Sequence, residues 1–271
     1  MLGSRDVCFH VRRALEPGYV EVIDPGFAGL EYLSLGVLTL GEGAEYALST
    51  AGREAGLVVL GGRCRVEAGE SVLWEVGGRP DVFSGKAHAV YLPPQTEVRV
   101  TALTGLEAAV CWCRVEEGGK PVLVGPEAVR EKSVGRGNWA RTVYDIIYED
   151  NVDARRLVLG ETVNPPGNWS SAPPHKHDAD DPPNEAELEE IYFFKVEPRQ
   201  GFGIQRLYNK RDFDVAYTVK DGDAVAIPEG YHPVVAGPGY RLYYLWFLAG
   251  RGRRLHPRTD PDHAWVEEEA V

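Results

Sequence analysis

Residues 167–201 read GNWSSAPPHKHDADDPPNEAELEEIYFFKVEPRQG, and the reading of this stretch decides the fold. His175 and His177 lie two apart just after Pro173 and Pro174, in a segment with no helical period. Alternate residues of an extended chain point to the same side, so both imidazoles are expected on one face, with Lys176 between them pointing away. Glu190 opens a second strand-like run, Ile191-Tyr192-Phe193-Phe194, and His232 follows the turn Pro228-Glu229-Gly230-Tyr231. Three imidazoles and one carboxylate form a ligand set for a divalent first-row metal such as Zn, Mn, Fe or Ni.

The order of these residues adds to their type. Gly167 precedes the His pair, Glu190 stands two residues before Tyr192, and Gly222-x5-Pro228-x-Gly230-x-His232 closes the pattern. This resembles the two-part signature of the cupin superfamily, in which His-x-His and Glu come from one pair of strands and the last His from a neighbouring pair. There are two departures. The loop between His177 and Glu190 is longer than usual, and His232 sits one residue closer to its glycine.

A chain of 271 residues can bury a large core, as one large domain or two of ordinary size. Its 31 Gly, 19 Pro and 13 Tyr, with short Val/Leu/Tyr runs throughout, suit a β-rich protein of many tight turns and few short helices. No apolar run reaches membrane-spanning length, and MLGSRDVCFHVRRALEPG lacks the apolar centre of a signal peptide, so the expected location is the cytoplasm. The net charge of −12 disfavours nucleic acid and anionic membrane surfaces as partners; an anionic small molecule would need local Arg or Lys. Cys8, Cys64, Cys111 and Cys113 have neither metal-knuckle spacing nor a disulfide framework, and are expected as small core residues.

Two strings of strands are expected, divided into 1–125 and 126–271. In the first, Leu33 to Leu40, Glu45 to Leu48, Gly56 to Gly62, Arg63 to Glu67, Ala89 to Pro94, Glu97 to Ala102 and Ala108 to Cys113 read as strands between turn signals, the grammar of a sandwich or barrel. Pro126 to Glu131 is expected to form a helical turn, and Gly135 to Trp139 a loop. The second string holds Arg141 to Ile147, Leu157 to Val163, Ile191 to Lys195, Gly203 to Tyr208, Ala224 to Ile227 and Tyr240 to Leu248, then a basic stretch and an acidic end through Glu269, read as a tail near the barrel mouth. The halves read as a faint duplication: Tyr91 to Glu97 resembles Ala226 to His232, with Glu97 in the place of His232 and Glu45 to Leu48 in the place of the His pair. The first half is then a barrel without a metal site.

Asn168-Trp169-Ser170-Ser171, Pro173-Pro174-His175-Lys176-His177-Asp178, Leu188-Glu189-Glu190-Ile191-Tyr192, Ile227 to Val234 and Tyr243-Tyr244-Leu245 together resemble the 5-deoxy-glucuronate isomerase family of inositol catabolism, along the whole chain. Trp246 departs from it, standing where Asn is expected. The resemblance implies an all-β bicupin, two jelly-roll halves, and interconversion of 5-deoxy-D-glucuronate with 5-dehydro-2-deoxy-D-gluconate. It implies one divalent ion (Zn, Mn or Fe), held by His175, His177, Glu190 and His232, that stabilises an enediolate as a Lewis acid. Tyr192, on the inward face with Glu190, and Lys176, by loop freedom, are the candidates for catalysis; neither is singled out as the base. The substrate carboxylate wants a guanidinium fork, for which Arg141 is preferred over Arg206 and Arg241, and Gln205 is expected to face the cavity. His10, His88, His256 and His263 are expected to be structural. The readings from other classes are a 4-deoxy-5-keto-uronate isomerase of pectin breakdown, a cupin dioxygenase using Fe(II), and a non-enzymatic sugar-binding cupin. A homo-oligomer is expected from exposed edge strands.

Overall fold

The structure, a computed structural model, describes residues 8–69 and 72–268. Of the expectations above, those on residues 1–7 and on Glu269 lie outside the described residues. No helix among the described residues is long and apolar enough to cross a membrane.

All paired strands run antiparallel, in two large and two small sheets with a two-stranded ribbon. The first half contributes a six-stranded sheet in the order Val122–Val124, Ala89–Leu92, Arg53–Gly61, Leu106–Arg114, Leu33–Leu40, Gly18–Ile23. Facing it is a four-stranded sheet of Glu45–Ser49, Glu97–Ala102, Arg63–Ala68 and Val72–Gly77. The second half repeats this plan. Its large sheet runs His10–Arg12, Asp223–Ile227, Leu188–Glu197, Arg241–Gly250, Val158–Asn164, Arg141–Ile147, Arg130–Val134, and its small one Trp169–Ser170, Val234–Ala236, Gly203–Tyr208, Asp214–Val219.

The two large sheets pack on each other, and this explains the near-continuous apolar runs of their central strands. A strand buried on both faces has no polar side to show in its sequence. Along Leu188–Glu197, Ile191 and Phe193 enter a core shared by both halves, while Tyr192, Phe194 and Val196 turn into the second barrel. Along Leu106–Arg114, Cys111 and Cys113 enter the shared core and Val110 and Trp112 fill the first barrel. Three of the four thiols are therefore core residues, as expected; Cys8 is exposed, because it precedes the first strand.

The two halves share register at the start of their central strands and differ further on, where a bulge at Glu107/Ala108 has no counterpart in the second half. Ala55 pairs with Leu92 in the first half as Glu190 pairs with Ile227 in the second. Ala55 thus stands where Glu190 does, and Leu57, Val66, Val90, Val98 and Val100 fill the barrel beyond it. The strand Glu45–Ser49 matches Trp169–Ser170 rather than the His pair, which lies in an extra ribbon, His175–Lys176 paired with Arg258–Thr259. Two other expectations are corrected. Pro126 to Ala128 is a turn with no helix after it, and Arg130 and Glu131 already belong to a strand, paired with Asp145 and Tyr144. The chain also does not divide cleanly at 125, because His10–Arg12 crosses to the edge of the second half's large sheet.

Asp223 secures that crossing. Its carboxylate, 1% exposed, accepts from Arg12 Nε at 2.8 Å, Arg12 Nη2 at 2.6 Å and the Lys220 N–H at 2.8 Å, with His10 Nε2 at 2.9 Å. Burial pushes the Asp223 carboxyl up, and Arg12, His10 and the backbone N–H outweigh it and hold it below the usual carboxylate range. A carboxyl depressed in the fold contributes its full stability above the unfolded-state value and loses it as pH falls through the folded one. Asp223→Ala is expected to cost roughly 1–3 kcal/mol at neutral pH, measured by urea unfolding. The difference from the parent should shrink as the pH is lowered below about 4, and amide exchange should quicken at residues 10–12 before anywhere else.

Candidate metal centre

The second barrel brings His177, Glu190 and His232 into one group, with His175 beside it. The side-chain parity of Leu188–Glu197 turns Glu190 inward with Tyr192. Glu190 Oε2 lies 3.2 Å from His177 Nε2 and 3.3 Å from His232 Nε2, and the ligand atoms of these three buried residues all lie within 4.8 Å of one another. His175 stands at the open side, partly exposed. Its ring centroid is 4.9 Å from that of His232 and 6.3 Å from that of His177, and the histidine–histidine contacts are tilted or edge-on rather than stacked.

Both inner histidines are oriented by backbone carbonyls. His177 Nδ1 is 2.8 Å from Leu188 O, and His232 Nδ1 is 2.9 Å from Gly230 O. Each Nδ1–H donates to its carbonyl, which leaves the Nε2 lone pair pointing at Glu190, the arrangement in which imidazoles bind metals. His232 Nε2 is buried with no hydrogen-bond partner. Burial pushes His175 down to about 3, helped by His177 and Arg141, and burial pushes His232 down to about 3 against the pull of Glu190. Both are neutral imidazoles at pH 7. His177 goes the other way: burial lowers it, but the Glu190 carboxylate and the Leu188 carbonyl raise it further. An orphaned lone pair beside a buried carboxylate, with two more imidazoles, fits a divalent cation.

The ligands open on a cavity of about 150 Å³. Its walls include Arg141, Thr162, Ser170, Ser171, Tyr192, Tyr244, Trp246 and Leu255. The Tyr192 hydroxyl is 3.1 Å from Ser171 Oγ, and Tyr244 bonds Ser170 in the same way. Burial and the Glu190 charge push the Tyr192 phenol well up, so it keeps its proton. Arg141 donates Nη1–H to Trp139 O at 3.2 Å; its Nε is buried without a partner, and no carboxylate among the described residues pairs with it. Arg206 and Arg241, its rivals in sequence, are occupied by Asp214 and Glu197.

Two expected site residues are placed elsewhere. The Lys176 ammonium bonds Asp178 and, at 2.7 Å, Glu185, on the far side of the ribbon from the cavity, because the alternation that turns both histidines inward turns Lys176 out. Those bonds organise the long loop after His177, in which Glu185 also accepts from the Asp178 N–H at 2.8 Å. Gln205 is fully buried and does not line the cavity; its Nε2–H donates to His232 O at 2.7 Å, so it braces the histidine's backbone.

The serine pair and Tyr244 stand in stretches that carry the family resemblance, but the sequence alone assigns them no role. The role of Tyr244 is recoverable from strand parity with Trp246, whereas Ser170 and Ser171 have no periodicity that aims them, their place being set by a loop in which Ser171 has φ 48°. Trp246 is a wall of the cavity, its Nε1–H bonded to Thr162 Oγ1 at 3.0 Å. It has room because residue 160 is glycine: a Cβ there would lie 2.2 Å from Trp246 Cζ2.

Gly160→Val is accordingly expected to push the indole into the cavity, weakening binding of a cavity ligand on the order of 10-fold while metal content is kept. Separately, His177→Ala and His232→Ala should purify with less than a tenth of the parent's metal by elemental analysis, with far-ultraviolet circular dichroism retained. Full metal content in both folded variants would rule the site out.

The KduI/IolB family matches residues 9–266. The chain is 40% identical over 255 residues to 5-deoxy-glucuronate isomerase of Geobacillus thermodenitrificans, covering 93% of each. It is 35% identical over 241 residues to the protein of that name in Bacillus subtilis strain 168, covering 88% of this chain and 89% of the relative. The crystal structure of an IolB-like protein from Salmonella typhimurium superposes with a TM-score of 0.91 at 35% identity, over 96% of this chain and 99% of that one. The oxalate decarboxylase of Lactobacillus farciminis, at 11% identity and a TM-score of 0.66 over 96% of this chain and 88% of its own, shares the bicupin fold alone. By its two barrels, its residues 9–266 and its likeness to these relatives, the chain belongs to the KduI/IolB family.

Proposed function

We propose that the protein is a metal-dependent aldose–ketose isomerase that interconverts 5-deoxy-D-glucuronate and 5-dehydro-2-deoxy-D-gluconate in inositol catabolism. The observation that carries this reading is a guanidinium, Arg141, with no carboxylate partner among the described residues, sharing one small cavity with His175, His177 and Glu190, behind which His232 stands. The relatives named 5-deoxy-glucuronate isomerase support the choice of substrate.

In this reading His175, His177, Glu190 and His232 hold one Zn, Mn or Fe ion. Bound there, the ion supplies Lewis acidity to adjacent oxygens of a sugar, where charge develops as the C2 proton moves toward C1. The protein's own residues do the rest. Arg141 takes the substrate carboxylate and sets which end of the chain reaches the ligands. Tyr192, a phenol that keeps its proton, donates a hydrogen bond to a substrate oxygen in place of the one it makes to Ser171. Trp246, Leu248 and Leu255 keep water from the reacting carbons. Lys176, neutralised by Asp178 and Glu185, takes no part, and Gln205 acts only through His232.

The reading extends to the organisation of the chain. Residues 126–271, with the crossing strand His10–Arg12, form the metal-bearing unit, and the remainder of 1–125 is a barrel that supports it. Val72–Gly77 and Asp214–Val219 end their sheets and offer edges to a second copy, so a homo-oligomer is proposed, working in the cytoplasm; light scattering on the purified protein tests its mass.

NMR of metal-loaded protein with 5-deoxy-D-glucuronate under nitrogen should show loss of the aldehyde-form signals and growth of the ketone. An unchanged spectrum, or a requirement for oxygen, would reject the proposal, and faster turnover of 4-deoxy-5-keto-uronate would reassign the substrate. Arg141→Ala is expected to raise KM on the order of 10- to 100-fold, as loss of a charge-assisted pair should. Tyr192→Phe should lower kcat about 100-fold with little change in KM.

A further inference from the structure

Leu188, Glu189 and Glu190 open one strand, and each points at something different. Leu188 O accepts from His177 Nδ1, and the Leu188 N–H donates to His177 O at 2.8 Å. Glu190 stands between His177 and His232. Glu189, with the opposite parity, leaves the second barrel altogether. Its carboxylate accepts three successive backbone N–H groups of the first barrel at 2.7 Å each: Glu31 on Oε2, Tyr32 and Leu33 on Oε1. Consecutive N–H groups converging on one carboxylate are an anion cradle and hold it in a fixed place.

The same cradle occurs in reverse. Glu54 of the first barrel accepts from the N–H groups of Arg155, Arg156 and Leu157 of the second, again at 2.7 Å each. Register makes Glu54 the counterpart of Glu189, since Ala55 pairs as Glu190 does. The difference lies in the next residue. After Glu54 comes Ala55, a core methyl; after Glu189 comes a candidate metal ligand.

We propose that Glu189 is a positioning residue for the metal centre, through which the first barrel fixes the start of strand Leu188–Glu197 and so the places of the Leu188 carbonyl and the Glu190 carboxylate. The barrel without ligands then has a task in the chemistry of the other. The inference rests on the metal reading above. Glu54, which is fully buried and also accepts from the Tyr91 hydroxyl at 2.8 Å, is its internal control, because a cradle at least as strong between the same two barrels can be broken there without touching a ligand strand.

The test is the dissociation constant for Zn²⁺, measured by chelator competition on the full-length protein and its variants Glu189→Ala, Glu189→Gln, Glu54→Ala and Glu54→Gln, with thermal midpoints in parallel. Glu54→Ala should lose at least as much thermal stability as Glu189→Ala, since Glu54 is the more buried and holds the Tyr91 hydroxyl as well. Only Glu189→Ala should bind Zn²⁺ 10- to 100-fold more weakly, the usual effect of losing a group that orients a ligand. Glu189→Gln keeps one acceptor oxygen and should fall between Glu189→Ala and the parent. The Co²⁺ absorption spectrum should change in the Glu189 variants and not in the Glu54 variants. A Glu189→Ala constant within threefold of the parent's overturns the inference, as does an equal loss in Glu54→Ala. If the Ala variants do not fold, the two Gln variants decide by the same criterion. Failure of the parent itself to bind Zn²⁺ would defeat the metal reading instead, so the two failures are distinct.

Discussion

The structure depends on a central strand, Leu188–Glu197, that is buried on both sides and so must place every side chain it carries. Alternation sends Ile191 and Phe193 into the core between the barrels and Tyr192, Phe194 and Val196 into the second barrel. At the strand's open end the same alternation delivers two carboxylates to opposite faces. A buried carboxylate is costly unless it is paired. Glu189 meets that cost with three backbone N–H groups, whereas Glu190 faces imidazole nitrogens and, in the proposed reading, a cation between them meets it. The candidate metal centre and the joint between barrels are thus two faces of one strand.

That joint is polar as well as apolar. Besides the cradles, Arg79 of the first half is paired with Glu161 of the second, with side chains 4% and 1% exposed, and Tyr243 donates to the same Glu161 carboxylate at 2.7 Å. Such groups fix one relative placement of the two sheets, where apolar contact alone would tolerate sliding. The first barrel is filled with Leu and Val where the second keeps its cavity. In the proposed reading, one copy carries the chemistry and the other has the task of holding it.

How much of this could be read from the chain alone follows from which signals are local. That His175, His177, Glu190 and His232 come together was legible, because their residue types suit one kind of site and short spacings along a strand carry orientation. The strands at Leu33–Leu40, Glu97–Ala102, Arg141–Ile147 and Gly203–Tyr208 were legible to the residue, bounded by turn signals. Arg130–Val134 was not, since a charged edge strand has the composition of a short helix. The crossing of His10–Arg12 was invisible because the residue it pairs with is 211 positions away in the case of Arg12 and Asp223. Lys176 and Gln205 lie off the cavity for different reasons: Lys176 sits between two histidines and so alternates away from them, whereas Gln205 turns into the fold and spends its amide on the His232 carbonyl. The roles of Glu54 and Glu189 were hidden too, since a carboxylate that binds backbone N–H groups needs no partner side chain to betray it.

The central claim is that His175, His177, Glu190 and His232 surround one divalent cation in the second barrel. X-ray absorption at the zinc edge, on protein loaded with one equivalent of Zn²⁺, addresses it most directly. The account predicts only nitrogen and oxygen neighbours at about 2.0–2.2 Å, with the outer-shell scattering of three imidazole rings. A thiolate at about 2.3 Å, or fewer than two imidazoles, would place the ion elsewhere and contradict it.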